Sequence, residues 1–262
     1  MTIKQRLAKN ETLRAIFLPL IRKLNFEFRW KHDVTKRNFF LLTFLHKGYW
    51  YFGSQREKNE LVRFNEFINK ADYVLEIGGH IGYVTQIFED LVGKDGKVFV
   101  AEPTASTRIF LKKNVLPSTK VLPLAVSNIE GQMDFFTEEF GGFTNSLISE
   151  FTEESDKNLS VSQKRNSSKI IKTQVDVSTI DLICKEHEFN PNFIKIDVEG
   201  AELSVLKGAI STLNTTQALM VEISRNHKDV YDLLFNFGFS AKDSEGKKLI
   251  DNTRGGNIFF YR

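Results

Sequence analysis

The stretch that most constrains this chain is YVLEIGGHIG, Tyr73 to Gly82. Tyr73, Val74 and Leu75 make a short apolar run that ends in Glu76. A glycine-rich turn follows, with Gly78, Gly79 and Gly82. Val84, Ile87, Phe88 and Leu91 then fall on one face at helical spacing. Strand, glycine turn, helix is how an α/β sheet makes a ligand site at its carboxyl edge. The dinucleotide fingerprint G-x-G-x-x-G, ending on Gly82, would need a glycine at position 77, and Ile77 stands there. The pattern present is E-x-G-x-x-x-G.

The rest of the chain is consistent with that nucleus. A length of 262 residues fits one large α/β domain, or one domain with an extension. A single cysteine, Cys184, excludes an intramolecular disulfide and a cysteine zinc site. The net charge of +3 hides an asymmetry: residues 1–50 carry eleven Lys or Arg and three acids. This basic end suits either anionic lipid or a solvated surface. The apolar run Ala15 to Ile21 is short, contains Pro19 and leads into Arg22 and Lys23, so neither a secretory signal nor a bilayer span is expected. A cytoplasmic protein is expected.

Residues 1–25 have mixed helical spacing, and 38–52 are strongly apolar and aromatic. His46 and the run Tyr49 to Phe52 suit core packing, or a substrate cleft. Glu57 to Ala71 follows as a helix. We therefore expect an N-terminal helical extension or cap over 1–70, and the main domain over 71–262. From Lys97 a βα alternation is regular: strands over 98–101, 120–126, 193–196 and 218–223, with order returning at 173–177 after one interruption. Glu130-Gly131 predicts a local hairpin over 127–136. Ser178 with Asp181 predicts a capping-box-like helix start. The polar stretch within 137–170 predicts an insertion. The chain closes with a predicted hairpin. The sum is an α/β protein with a doubly wound, mostly parallel, seven-stranded sheet.

Two more positions carry chemistry. Glu102 ends the second strand, 20 residues past Gly82, where an acid accepts hydrogen bonds from both hydroxyls of a nucleoside ribose. That placement does not choose among nucleoside cofactors, and it also suits a plain strand-end acid. FIKIDVEGAE, Phe193 to Glu202, is a buried strand ending in Asp197. Glu199 and Glu202 are explained as acids at a helix start. Asp197 is placed over the cleft, beside the glycine turn.

At these residues the chain resembles the FkbM family of S-adenosylmethionine-dependent methyltransferases. The resemblance rests on VLEIGGHIGY, AEPTASTRIFLKKNV, PLAVSNIEGQMDFF, STIDLI, FIKIDVEGAELSVLKGA and LMVEIS, in order over roughly residues 71–225. E-x-G-x-x-x-G is the first motif of class I methyltransferases. The resemblance implies that class I, Rossmann-like fold and O-methyl transfer to sugar or natural-product hydroxyls. It implies that Gly78, Gly79, His80 and Gly82 form the cofactor turn, with Glu76 before it and Glu102 on the ribose. Ala125, Val126 and Ser127 would wall the adenine, and Asp197 would face the methyl group. The chain departs from the family at Gly79-His80, where alanine and asparagine are common, and GGFTNSL, Gly141 to Leu147, matches only loosely.

A sugar hydroxyl loses its proton during attack, so a base helps. Asp197 is the first candidate, His227 the second and His80 a third. A metal held by Asp197 with Glu222 or His227 is an alternative, but no compact ligand spacing demands one, so none is expected. The acceptor is expected to be a small molecule or glycan, with lipid-linked sugars included and no nucleic acid. Peripheral membrane contact through the basic N-terminal region and a homo-oligomer are further expectations. A nicotinamide-dependent dehydrogenase and a non-catalytic scaffold are the competing readings.

Overall fold

The structure, a computed structural model, describes residues 23–138, 147, 170–251 and 253–262. The helix expected over 1–25 and most of the 137–170 insertion lie outside the described residues.

Five parallel strands form the middle of the main sheet: β3 (Tyr73–Ile77), β4 (Lys97–Ala101), β5 (Lys120–Leu122), β9 (Phe193–Ile196) and β10 (Ala218–Ile223). The chain ends in β11 (Ser240–Asp243), β12 (Lys248–Leu249) and β13 (Gly256–Tyr261). The order is β12-β11-β13-β10-β9-β3-β4-β5, with β13 antiparallel between β10 and β11. The sheet is thus mostly parallel, as expected, with the two-residue β12 at its edge. The order reverses at β3, which lies beside both β4 and β9. That reversal opens a crevice at the strand ends.

Alternation along the strands feeds two cores, one on each face of the sheet. Leu75, Ile77, Ile194 and Ile196 point to one face. There they meet α5 (Ile180–Glu186), α6 (Glu202–Lys207), α7 (Ile210–Leu213) and α8 (His227–Asn236). Val74, Val98, Phe193 and Met220 point to the other. That face is covered by α2 (Lys58–Phe67), α3 (Tyr83–Val92) and the N-terminal segment. Its described part is not the helical extension expected: it consists of a hairpin, β1 (Glu27–Lys31) with β2 (Asn38–Leu42), and the short α1 (Lys47–Phe52).

This segment is anchored by polar as well as apolar contacts. Asn114, at the end of α4 (Ala105–Asn114), donates to the carbonyls of Phe40 and Ile81 and accepts from Phe40 N. His32 is fully buried and stacks on Tyr83 with ring centroids 4.0 Å apart. Its Nδ1 accepts from Val34 N and Thr35 N, while Nε2 faces the Tyr83 carbonyl at 3.0 Å. Burial lowers its pKa to about 4, so the ring is neutral.

Three further sequence expectations need correction. The strand expected over 120–126 splits at Pro123, which has no N–H for the ladder. Its second half, β6 (Ala125–Val126), leaves the main sheet and pairs with β8 (Ile170–Ser178). The predicted local hairpin also fails. β7 (Gly131–Glu138) pairs antiparallel with β8 along its whole length, giving a separate three-stranded sheet. Finally, Thr179 rather than Ser178 caps α5, its Oγ1 accepting from Leu182 N at 3.1 Å. Asp181 instead accepts from Ser211 N and Thr212 N at the start of α7. Among the described residues no helix is long and apolar enough to cross a membrane.

Candidate functional site

The glycine turn is stitched between the two neighbouring strands. Gly78 N donates to the Ala101 carbonyl at the end of β4, and Asp197 N donates to the Ile77 carbonyl from the end of β9. Gly78 has φ +88°, and a Cβ there would lie 1.9 Å from the Asp197 carbonyl oxygen. Only glycine meets both conditions. The other two glycines are needed for packing. A Cβ on Gly79 would strike Val100, and one on Gly82 would crowd Leu111 on α4. Gly82 does not line the cleft, and Gly79 borders only its inner recess.

Above the turn lies a cleft bordered by Gly78, His80, Glu102, Ala125, Val126 and Asp197. Glu102 is almost fully buried. Its two oxygens accept from His80 N at 3.0 Å and Thr104 N at 2.8 Å. The Thr104 side chain also hydrogen-bonds this carboxylate, which has about four acceptor sites in all and so keeps capacity for a ligand hydroxyl. Burial raises the Glu102 pKa to about 7. Ala125 and Val126, brought in by β6, form an apolar wall with Phe135 and Leu124. Ser127 is turned away. It is buried, its N–H donates to the Ser178 carbonyl, and it does not line the cleft.

A chain of charges crosses the floor of the cleft. Glu76 and Lys195 are register partners on β3 and β9, with 3.7 Å between Oε1 and Nζ. Glu76 is 1% exposed, and its other oxygen accepts from Thr85 Oγ1 at 2.5 Å. Burial raises its pKa to about 7. Glu76 therefore supports the turn from beneath and borders only the inner recess. Lys195 also donates to Asp197 Oδ2 at 2.8 Å. Burial opposes its charge, but Asp197 and Glu76 more than offset that and hold Lys195 protonated.

Asp197 is the member of this set that faces the cleft. Burial opposes its ionisation, yet the Lys195 ammonium and a hydrogen bond with Glu222 hold it below the usual carboxylate range. The negative charge of Asp197, with that same hydrogen bond, pushes Glu222 far above it. Glu222 thus carries the proton and donates it to Asp197. One carboxylate oxygen from each of Asp197, Glu199 and Glu222 lies within 4.8 Å of the others, the only such group found among the described residues. This brings together Asp197 and Glu222, the pair named for the metal alternative, while His227 is not part of the group.

Arg56 escaped the sequence reading, whereas Tyr49 belongs to the run offered there for core or cleft. Tyr49 on α1 and Arg56 just before α2 both border the cleft. Tyr49 OH lies 2.8 Å from His80 Nδ1, and the Arg56 guanidinium sits 4.7 Å from the centre of the Tyr49 ring. His80 has φ +47°, and its backbone N–H holds Glu102, so its role is to join three parts of the wall. No sequence spacing relates residues 49 and 56 to Gly78, because the contact is purely tertiary. Of the apolar run at 38–52, only Tyr49 reaches the cleft, and His46 is buried beside it. His227, at the first position of α8, does not line the cleft. Its imidazole packs on Gly255, where a Cβ would lie 2.8 Å from Nε2.

The donor set fits a nucleoside with a charged amino-acid tail: an acid with spare acceptors, an apolar wall, and a polar recess holding both signs of charge. Several solved methyltransferases have a similar overall arrangement. Methyltransferase FkbM from Methylobacillus flagellatus KT matches at 16% identity and TM-score 0.46, covering 77% of this chain and 50% of that one. This chain thus spans half the length of that protein. A S-adenosylmethionine-dependent methyltransferase from Aquifex aeolicus matches at 12% identity and TM-score 0.41, covering 79% and 91%. Fibrillarin from Aeropyrum pernix, solved with natively bound S-adenosyl-L-methionine, matches at 11% identity and TM-score 0.39, covering 78% and 74%. A comparison with curated proteins gives no match. The model of the methyltransferase FkbM domain matches residues 76–241, well over half of the chain. With the doubly wound sheet of class I methyltransferases and S-adenosylmethionine as its cofactor, this chain belongs to the FkbM methyltransferase domain family.

Proposed function

We propose that the protein transfers a methyl group to a hydroxyl oxygen of a sugar, glycan or sugar-containing metabolite, with Asp197 as the base. When bound, S-adenosylmethionine supplies a methyl group already activated on a sulfonium. What remains for the chain is to align the acceptor and take its proton. Glu102 holds the ribose, and the wall at Ala125 and Val126 holds the adenine. The observation that carries the reading is the position of Asp197: an ionised carboxylate beside the cofactor turn, its side chain 32% exposed to the cleft. Lys195 keeps it charged, and the proton on Glu222 keeps a second charge from forming next to it.

The acceptor is proposed to be membrane-associated, such as a lipid-linked sugar, because residues 1–50 carry an excess of eight positive charges. The test is transfer of radiolabelled methyl to separated glycan and lipid-linked sugar fractions. Label in an alkali-stable ether of a sugar supports the reading. Label only in protein or nucleic acid would sink it.

A further inference from the structure

The family match begins at Glu76, yet one wall of the cleft comes from earlier in the chain. The sheet order gives the direction in which a ligand lies. Glu102 ends β4, and the apolar wall lies beyond it on the β5 side. A nucleoside placed there leaves its tail running over Gly78 toward β9 and β10. In that direction the cleft continues into a polar recess bordered by Arg56, Glu57, Lys195 and Asp197.

The tail of S-adenosylmethionine ends in an ammonium and a carboxylate. The carboxylate needs a cation, and two border the recess. Lys195 is 5% exposed and held between Glu76 and Asp197. Arg56 is 33% exposed. Its planar fork suits a carboxylate, and two contacts set its plane: Nε on Glu57 at 3.1 Å and the guanidinium over the Tyr49 ring. Tyr49 is in turn tied to His80 in the cofactor turn. The anchor is therefore pre-positioned from the turn itself.

We propose that Arg56, from the N-terminal segment outside the family domain, binds the carboxylate of the methyl donor's amino-acid end, so that the donor site is incomplete without residues 49–57. This rests on the cofactor assignment. On this account the segment is part of the donor site, and removing it costs donor affinity.

The test is calorimetric binding of two probes, S-adenosylhomocysteine and 5′-methylthioadenosine, which share the nucleoside thioether but differ in the amino-acid end. Arg56→Met should weaken S-adenosylhomocysteine by about 10- to 100-fold, the range for a charge-assisted pair. It should leave 5′-methylthioadenosine within about twofold of wild type. Equal loss of both probes, or loss of neither, overturns the proposal. A second measurement needs no variant: the wild-type protein should bind the methyl ester of S-adenosylhomocysteine more weakly than the free acid, by a similar factor. Equal binding of ester and acid also overturns it. A wild-type protein that binds neither probe would remove the cofactor assignment itself, a separate failure.

Discussion

Lys195 donates to Asp197 across 2.8 Å from inside the sheet, so the charge of the proposed base is set by a neighbour that is almost fully buried. A buried lysine is tolerated only when paired, and here Glu76 and Asp197 together pair it. Lys195→Met leaves both carboxylates uncompensated. We expect a loss of about 3–5 kcal/mol in urea unfolding at neutral pH. The pH–rate profile should change as well. In the wild type the depressed Asp197 pKa keeps the base ionised through mildly acid pH. Without the ammonium that pKa rises, so the acid limb of kcat/KM moves to higher pH.

Glu102 links cofactor binding to stability. Burial raises its pKa from 4.5 to about 7. A group raised on folding stabilises fully below its unfolded pKa and loses that contribution as pH rises through the folded one. The window is therefore pH 4.5 to 7. Glu102→Gln cannot titrate there. Whatever constant cost the amide imposes, the stability of wild type minus variant should fall by up to about 3 kcal/mol between pH 4.5 and pH 8. Glu76, also raised to about 7, adds a slope that both proteins share. The same variant should bind S-adenosylhomocysteine about tenfold more weakly or worse, through the lost ribose contacts.

His227 makes a contrasting case. Its type suits a base, but its ring packs on Gly255 and does not border the cleft. His227→Ala should leave methyl transfer within about twofold of wild type, the range for a residue away from the chemistry. A hundredfold loss with donor binding unchanged would return it to the mechanism.

What the sequence showed and what it hid divide along physical lines. The turn at Gly78, the acid at Glu102 and the strand end at Asp197 were legible because each is fixed by local pattern: an apolar run, then a chemistry-bearing residue at the carboxyl edge. Of the residues expected beside the adenine, Ala125 and Val126 line the cleft and Ser127 does not, because the backbone turns into the β8 ladder there. Lys195 read as one more strand residue, since its partner Glu76 lies over a hundred positions away and is revealed only by strand register. Arg56 was hidden for the same reason. The hairpin at Gly131 was misread because its partner strand returns only at Ile170.

The central claim is that the cleft seats the methyl donor and that Asp197 takes the acceptor's proton. The most direct measurement compares Asp197→Asn with wild type in donor binding and in single-turnover transfer of radiolabelled methyl. The account predicts S-adenosylhomocysteine binding within about threefold of wild type, and transfer slower by about 10²- to 10⁴-fold, as for loss of a general base. Transfer at the wild-type rate by Asp197→Asn would contradict it.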